Sequence, residues 1–260
     1  MKQVSFTDFK KTKDKMRGVK EIKKTFTPVY GYVCNLETLD YIMYTSRDYG
    51  SLVVTDKNVI NNYALGYALG SAVADSKVYP VSLPSVNPCY DEDFSDLDIY
   101  ITPAISVDVT TKTKTYNTIP ERYYERTYNS YSKIFPTYGR YEMIAPESIY
   151  TFTIFSEEEI KIPKYIKLGK FKAPCKITVI EKGNVVRKIK KEYHSEALHI
   201  NDLPENTHFV QMIAYIMIRL GKSHAILTNL MFSGEFLEIQ SESHRKIPVG
   251  TKFCNQKILP

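Results

Sequence analysis

From Ser148 onward the chain is built of short apolar, β-branched runs, IYTFTIF, CKITVI, HFVQMIAYIMIRL and GEFLEI, separated by proline, glycine and charged turns. Runs this short, and this rich in Ile, Val, Thr and aromatic residues, specify strands joined by tight connections. Val210 to Leu220 is long enough for a helix, but its β-branched content and lack of a capping signal favour a strand. Upstream, Val29 to Leu36 (VYGYVCNL) is apolar or aromatic on both alternating faces, which suits a central strand. Tyr41 to Val54 reads as further strand or turn, and Ile99 to Val109 alternates as a strand. One helix stands out: Thr55 or Asp56 caps it, Ile60, Tyr63, Ala64 and Tyr67 share a face, and Gly70 ends it. Gly66 inside that helix costs about 1 kcal/mol relative to alanine and implies close backbone packing. One helix among many antiparallel-looking strands predicts an α+β architecture and not a doubly wound sheet.

At 260 residues, 43 % of them hydrophobic, the chain can bury a sizeable core as one elaborate domain or two small ones. Met1 to Lys24 is a basic arm without a signal-peptide apolar core. The longest apolar run, Met212 to Ile218, is far too short to span a bilayer. Cys34, Cys89, Cys175 and Cys254 are isolated from one another, which argues against a disulfide framework or a structural zinc. It fits a reducing, cytoplasmic setting. Pro80 to Pro88 is an extended proline-rich loop. Asp91 to Asp98 (DEDFSDLD) reads as a solvated acidic turn or partner contact, since carboxylates two residues apart specify no metal on their own.

Charge is concentrated between Lys161 and Lys191, where KIPKYIKLGKFKAPCKITVIEKGNVVRKIKK holds eleven basic residues and one acid. Even spreading of the chain's Lys and Arg would place only about four there. A local positive field with interleaved aromatics suits single-stranded nucleic acid, whose phosphates want cations and whose bases stack. The alternative is a solvated strand edge kept soluble by lysine, common in β proteins. A second dense tract follows TTKTKTYNT: seven of the 21 tyrosines lie between Tyr116 and Tyr141, with Arg122, Arg126, Lys133 and Arg140 among them. That tract cannot form a core of its own and reads as a long projecting hairpin, a thumb, of the kind that touches a partner.

Catalytic signatures are absent: there is no GxxxxGK[ST], HExxH, GxSxG or GxGxxG. His194 and His199 in HSEALH could approach one site in a bent loop, but lone histidines in β-rich loops are more often structural. A metal-free ribonuclease needs only a base, an acid and a cation near the scissile phosphate, so that class stays open.

The blocks YTSRDYGSLVVTDKNVINNYALGYALG, IYITPA at Ile99 to Ala104, YIKLGKFKAPCKI at Tyr165 to Ile177, and LMFSGEFLEI with KIPVGTKF occur in an order and spacing that resemble a known family. It is the Cas-family-five (Csc-one) subunit of type I-D CRISPR effector complexes, and the resemblance runs from Pro28 to Phe253. The arm has no counterpart in it, and Asp48 stands where the pattern has glutamate. The resemblance implies a RAMP-type, ferredoxin-like (RRM-related) antiparallel sheet with a β-hairpin thumb and a β-rich C-terminal part. The corresponding organisation is a basic arm over 1–24, a RAMP domain over 25–160 with the thumb inserted at about 105–145, and a β-rich subdomain over 161–260. It further implies a non-catalytic subunit of a Cascade-like complex that holds the 5′ handle of the CRISPR RNA. The implied partners are the Cas-family-seven backbone subunit and the Cas-family-ten-type large subunit, with target DNA near the PAM as a further contact. No cofactor or metal is implied. For RNA binding, the basic and aromatic residues in these blocks and in the thumb single out Arg47, Arg122, Arg126, Lys167, Gly169, Lys170, Phe171 and Lys172. In Leu168-Gly169-Lys170 the glycine allows close backbone approach to RNA, or simply a β-turn. A pre-CRISPR-RNA endoribonuclease is the alternative activity, and a structural adaptor for an acidic protein is a third.

Overall fold

The computed structural model describes residues 25–49, 52–73, 94, 99–117, 138–204, 213–219, 222–253 and 256–258. The arm, the proline-rich loop, the acidic patch apart from Phe94, and the thumb tip with Arg122 and Arg126 lie outside the described residues. In chain order the first strands are β1 (Thr25–Phe26), β2 (Tyr30–Thr38), β3 (Arg47–Asp48), β4 (Leu52–Val54) and β5 (Val59–Ile60), followed by helix α1 (Asn62–Val73). Then come β6 (Ile99–Ile101), β7 (Ala104–Asp108), β8 (Thr111–Asn117), β9 (Tyr138–Ile144) and β10 (Ile149–Ser156). The chain continues through β11 (Tyr165–Leu168), β12 (Ala173–Ser195), β13 (Leu198–His199), a 3-10 turn at Ile200–Asp202, β14 (Ile213–Arg219) and β15 (Lys222–Thr228). It closes with β16 (Leu230–Ile239), β17 (Lys246–Pro248), β18 (Lys252–Phe253) and β19 (Gln256–Ile258).

The fold is mostly antiparallel sheet. A nine-stranded sheet runs β17-β16-β12-β2-β10-β7-β5, with β11 added to β12 and β6 to β10. A four-stranded sheet, β3-β4-β9-β8, carries the base of the predicted thumb, in which β8 and β9 pair antiparallel from Thr111↔Ile144 to Asn117↔Tyr138. Among the described residues only β4 with β9 and β1 with β19 pair in parallel. The α+β expectation is met in part: the described residues are mostly antiparallel sheet, with one α-helix of 12 residues beside a short 3-10 turn.

Strand β2 is central, as its two-faced apolar pattern requires: Val33, Cys34 and Leu36 are buried, and β10 and β12 pair with it on either side, the β12 register shifting between Val179 and Glu181. Its neighbour β12 is 23 residues long and changes partner along its length. Cys175 to Asn184 pairs with β2, whereas Val185 to Ser195 pairs with β16, so the C-terminal third shares one sheet with the N-terminal half. At the handover Gly31 faces Gly183, and a Cβ on either would come within 2.4 Å of Ile239 or of the Gln240 carbonyl. The core gathers Tyr100, Tyr150, Phe94, Phe152, Phe155 and Leu36, all fully buried. Cys34 and Cys175 are free and buried, and burial pushes both thiols up to about 12.

Helix α1 begins later than its periodicity predicts. Val59 and Ile60 are drawn into β5 by pairing with β7, and the Asn61 side chain accepts the Tyr63 amide at 2.9 Å. Asp56 instead closes a local turn by accepting the Asn58 amide. At its other end the helix continues through Gly70 to Val73. Its first turn is anchored by Asp202, whose carboxylate accepts from Asn62 Nδ2 at 2.6 Å and from the Tyr63 hydroxyl at 2.8 Å. Burial pushes that carboxyl up to about 7 against the hydrogen bonds that favour its charged form. Asp202 thus ties the C-terminal part to the helix.

Candidate nucleic-acid interface

Strands β11 and β12 form a hairpin whose turn, Gly169 to Lys172, carries most of the predicted site. In β11 exposure alternates: Tyr165 and Lys167 point out, and Ile166 and Leu168 enter the core. The turn is seated on the segment Ile42–Tyr44. The Gly169 amide donates to the Tyr44 hydroxyl at 3.0 Å, and the Lys170 amide donates to the Met43 carbonyl at 2.8 Å. Gly169 has φ 74°, and a Cβ there would lie 2.8 Å from the Met43 oxygen, so glycine is required by both conformation and space. Lys172 also takes a positive φ of 52°, and its amide donates to the Gly169 carbonyl at 3.1 Å. Tyr44 is held in turn by Thr55, whose hydroxyl bonds both its amide and its carbonyl. Burial keeps the Tyr44 hydroxyl far above its ordinary pKa, so it stays protonated.

This fixed turn presents cations and rings to solvent. Lys167, Lys170 and Lys172 are exposed, and among the described residues none of them is within ion-pair distance of a carboxylate. Phe171 is 57 % exposed and meets the Tyr141 ring edge-on at 6.4 Å. Tyr165 is 55 % exposed, with the Lys164 ammonium 5.5 Å from its ring centroid. Between the hairpin and α1 lies an open cleft of about 690 Å³ whose walls include Tyr44, Tyr67, Tyr165, Lys167 and Lys172.

Four other basic residues of the stretch behave differently. Lys176 pairs with Glu37 at 3.0 Å, Lys182 with Glu159, Arg187 with Glu235 and Lys188 with Glu238. Glu238 also faces His244 at 3.5 Å and Lys246 at 3.6 Å. Lys176, Arg187 and Lys188 close strand-to-strand bridges on the sheet, and Lys182 bridges to the segment between β10 and β11.

The structure therefore brings together Lys167, Gly169, Lys170, Phe171 and Lys172. Arg47 is exposed on β3 and lines a separate hollow of about 180 Å³ that it shares with Asp56, Lys57 and Glu142. Arg122 and Arg126 lie outside the described residues. Tyr165, Lys164 and Tyr67 are additions. The period-two alternation of YIKL already aims Tyr165 and Lys167 to one side, whereas Tyr67 joins them only through helix–strand packing. His194 and His199 do not form a pair: His194 is exposed on β12, and His199 is buried with its ring 4.6 Å from Tyr63 and its Nδ1 accepting the Asn201 amide. Among the described residues no cluster of His, Cys, Asp and Glu is placed to hold a metal, and no helix is long and apolar enough to cross a membrane.

Fold and site define a mostly antiparallel β protein with a seated, cationic and aromatic hairpin turn on its surface. Residues 29–256 match the model of the family described as Type I-D CRISPR-associated protein Cas5/Csc1, and the chain belongs to that family. Among solved structures, a chain from the cryo-EM structure of the type III-B Cmr-beta complex, bound to cognate target RNA and AMPPnP, is similar. It has a TM-score of 0.44 and 9 % identity, over 77 % of this chain and 85 % of that one. No curated protein sequence matches the chain.

Proposed function

We propose that the chain is the non-catalytic subunit that holds the 5′ handle of the CRISPR RNA in a type I-D effector complex and joins its backbone and large subunits. Family membership supplies the system. The observation that carries RNA binding is the β11–β12 hairpin, which offers three lysines with no acidic partner among the described residues beside exposed Phe171 and Tyr165. Phosphate neutralisation next to stacking surfaces is what a single strand requires, and a seated turn loses little entropy on binding. The RAMP-type kinship belongs to the same proposal. So do the Cas-family-seven and Cas-family-ten-type partners, contact with target DNA near the PAM, and a thumb that orders against RNA and a neighbouring subunit.

The test is incubation of the purified chain with labelled repeat RNA in EDTA. A mobility shift with intact RNA is the expected result. Cleavage would make the chain a processing endoribonuclease, and absence of any interaction, in the free chain and in the assembled complex alike, would leave it a protein adaptor.

A further inference from the structure

Resting on the RNA-binding proposal and deepening it, we infer that the cleft between α1 and β11 is a pocket for one unstacked nucleobase of the bound strand. Ala64, Tyr67 and Ala68 follow i, i+3, i+4 spacing and present one helix face to the cleft. The two alanines leave room that any larger side chain would fill. Tyr165 and Lys167 form the facing wall, two residues apart on the outer side of β11. The volume of about 690 Å³ lies within the usual range for a small-ligand site, roughly 300–1,000 Å³.

The lining selects a ligand class. It contains three tyrosines, two lysines and no carboxylate, so it favours a flat π-system attached to an anion. The Tyr44 hydroxyl oxygen accepts the Gly169 amide, and its own hydrogen has no acceptor among the described residues, which leaves it free to donate into the cleft. Every nucleobase carries an acceptor on its edge, so this donor holds any of the four. Tyr165, exposed and beside the cleft, is the stacking surface. Lys167 and Lys172 lie where the attached phosphates would pass. A base lodged here must leave the stack of its neighbours, which a single-stranded segment permits at small cost.

The test uses the full chain and single-stranded repeat RNA in which one nucleotide at a time is replaced by an abasic ribose. At one position the abasic change should weaken binding roughly 5- to 150-fold, the effect of losing one base–aromatic stack. Tyr165→Ala should weaken intact RNA by a similar factor and add nothing at that position. Tyr165→Phe, which keeps the ring, should bind as the native chain does. Because Tyr165 is 55 % exposed, its replacement leaves the core untouched. Losses that multiply at every position, or a Tyr165→Ala chain that binds normally, would overturn the pocket. The RNA-binding proposal would then stand as long as replacing the three turn lysines still weakens binding. RNA binding indifferent to those lysines would overturn that proposal and the pocket with it.

Discussion

Lys167, Lys170 and Lys172 on one side, and Lys182, Arg187 and Lys188 on the other, are exposed basic residues of the same stretch, yet their surroundings differ. The second group lies along β12 where other elements bring acids to it. Arg187 and Lys188 sit opposite Leu237 and Phe236 of β16, so Glu235 and Glu238 lie on the diagonals within reach. Lys182 finds Glu159 from the segment between β10 and β11. The first group sits on the β11–β12 hairpin, whose turn is seated against Met43 and Tyr44, and among the described residues hydrogen-bond partners reach the turn backbone while no carboxylate pairs with the ammonium groups. A surplus of lysine in sequence therefore becomes a field only where the sheet does not neutralise it.

Changing the seat should have the largest effect. Gly169→Ala forces a side chain into a left-handed conformation and against the Met43 carbonyl. It should cost about 1–3 kcal/mol in urea unfolding and displace all three lysines together. A variant with native stability and native RNA affinity would show that the seat does not hold the turn. Next comes Phe171→Ala, which should weaken RNA binding by about 1–3 kcal/mol if the ring stacks on a base, while leaving the salt dependence unchanged. An altered salt slope with no loss at low salt would assign Phe171 a purely positional part.

On the paired side the effect is on stability, and it depends on pH. Burial raises the Glu238 pKa, but the hydrogen bond and charge of Lys188, with Lys246 and His244 behind, outweigh it and hold the carboxyl below its ordinary value. A folded value below the unfolded one gives stability above the unfolded pKa that is lost as pH falls through the folded value. Lys188→Ala should therefore destabilise the chain at neutral pH, and the difference from native should shrink as the pH falls through the lowered Glu238 pKa, as denaturant midpoints would show. A difference independent of pH would mean that Lys188 contributes packing and not charge. The smallest effect belongs to Arg187→Ala, a half-exposed pair whose loss should change stability by less than about 1 kcal/mol and leave RNA binding unaltered.

Strands were legible wherever alternation or a two-faced apolar run imposed them: β2, the β8–β9 hairpin and β14 all fall within segments that predict them. The start of α1 was not legible, because Val59 and Ile60 suit a helix face equally well and only pairing with β7 decides for strand. The ferredoxin-like expectation came from resemblance, and the described residues are mostly antiparallel strands with one α-helix. In the site, the Gly169 turn was visible as a glycine between lysines, but Met43 and Tyr44 as its seat were not, since they lie more than a hundred residues earlier in the chain. The charge surplus was legible; its partition was not. Glu159, Glu235 and Glu238 reach Lys182, Arg187 and Lys188 only through the folding of the chain.

The partition is best tested by the salt dependence of repeat-RNA binding in three chains: native, Lys167→Ala/Lys170→Ala/Lys172→Ala, and Lys182→Ala/Arg187→Ala/Lys188→Ala. Each phosphate neutralised on a single strand contributes about 0.7 to the slope of log K against log[salt]. The turn variant should therefore flatten the slope by roughly 2, and the strand variant should keep the native slope. Equal flattening in both variants, or flattening only in the strand variant, would contradict the claim that the seated turn is where this chain meets RNA.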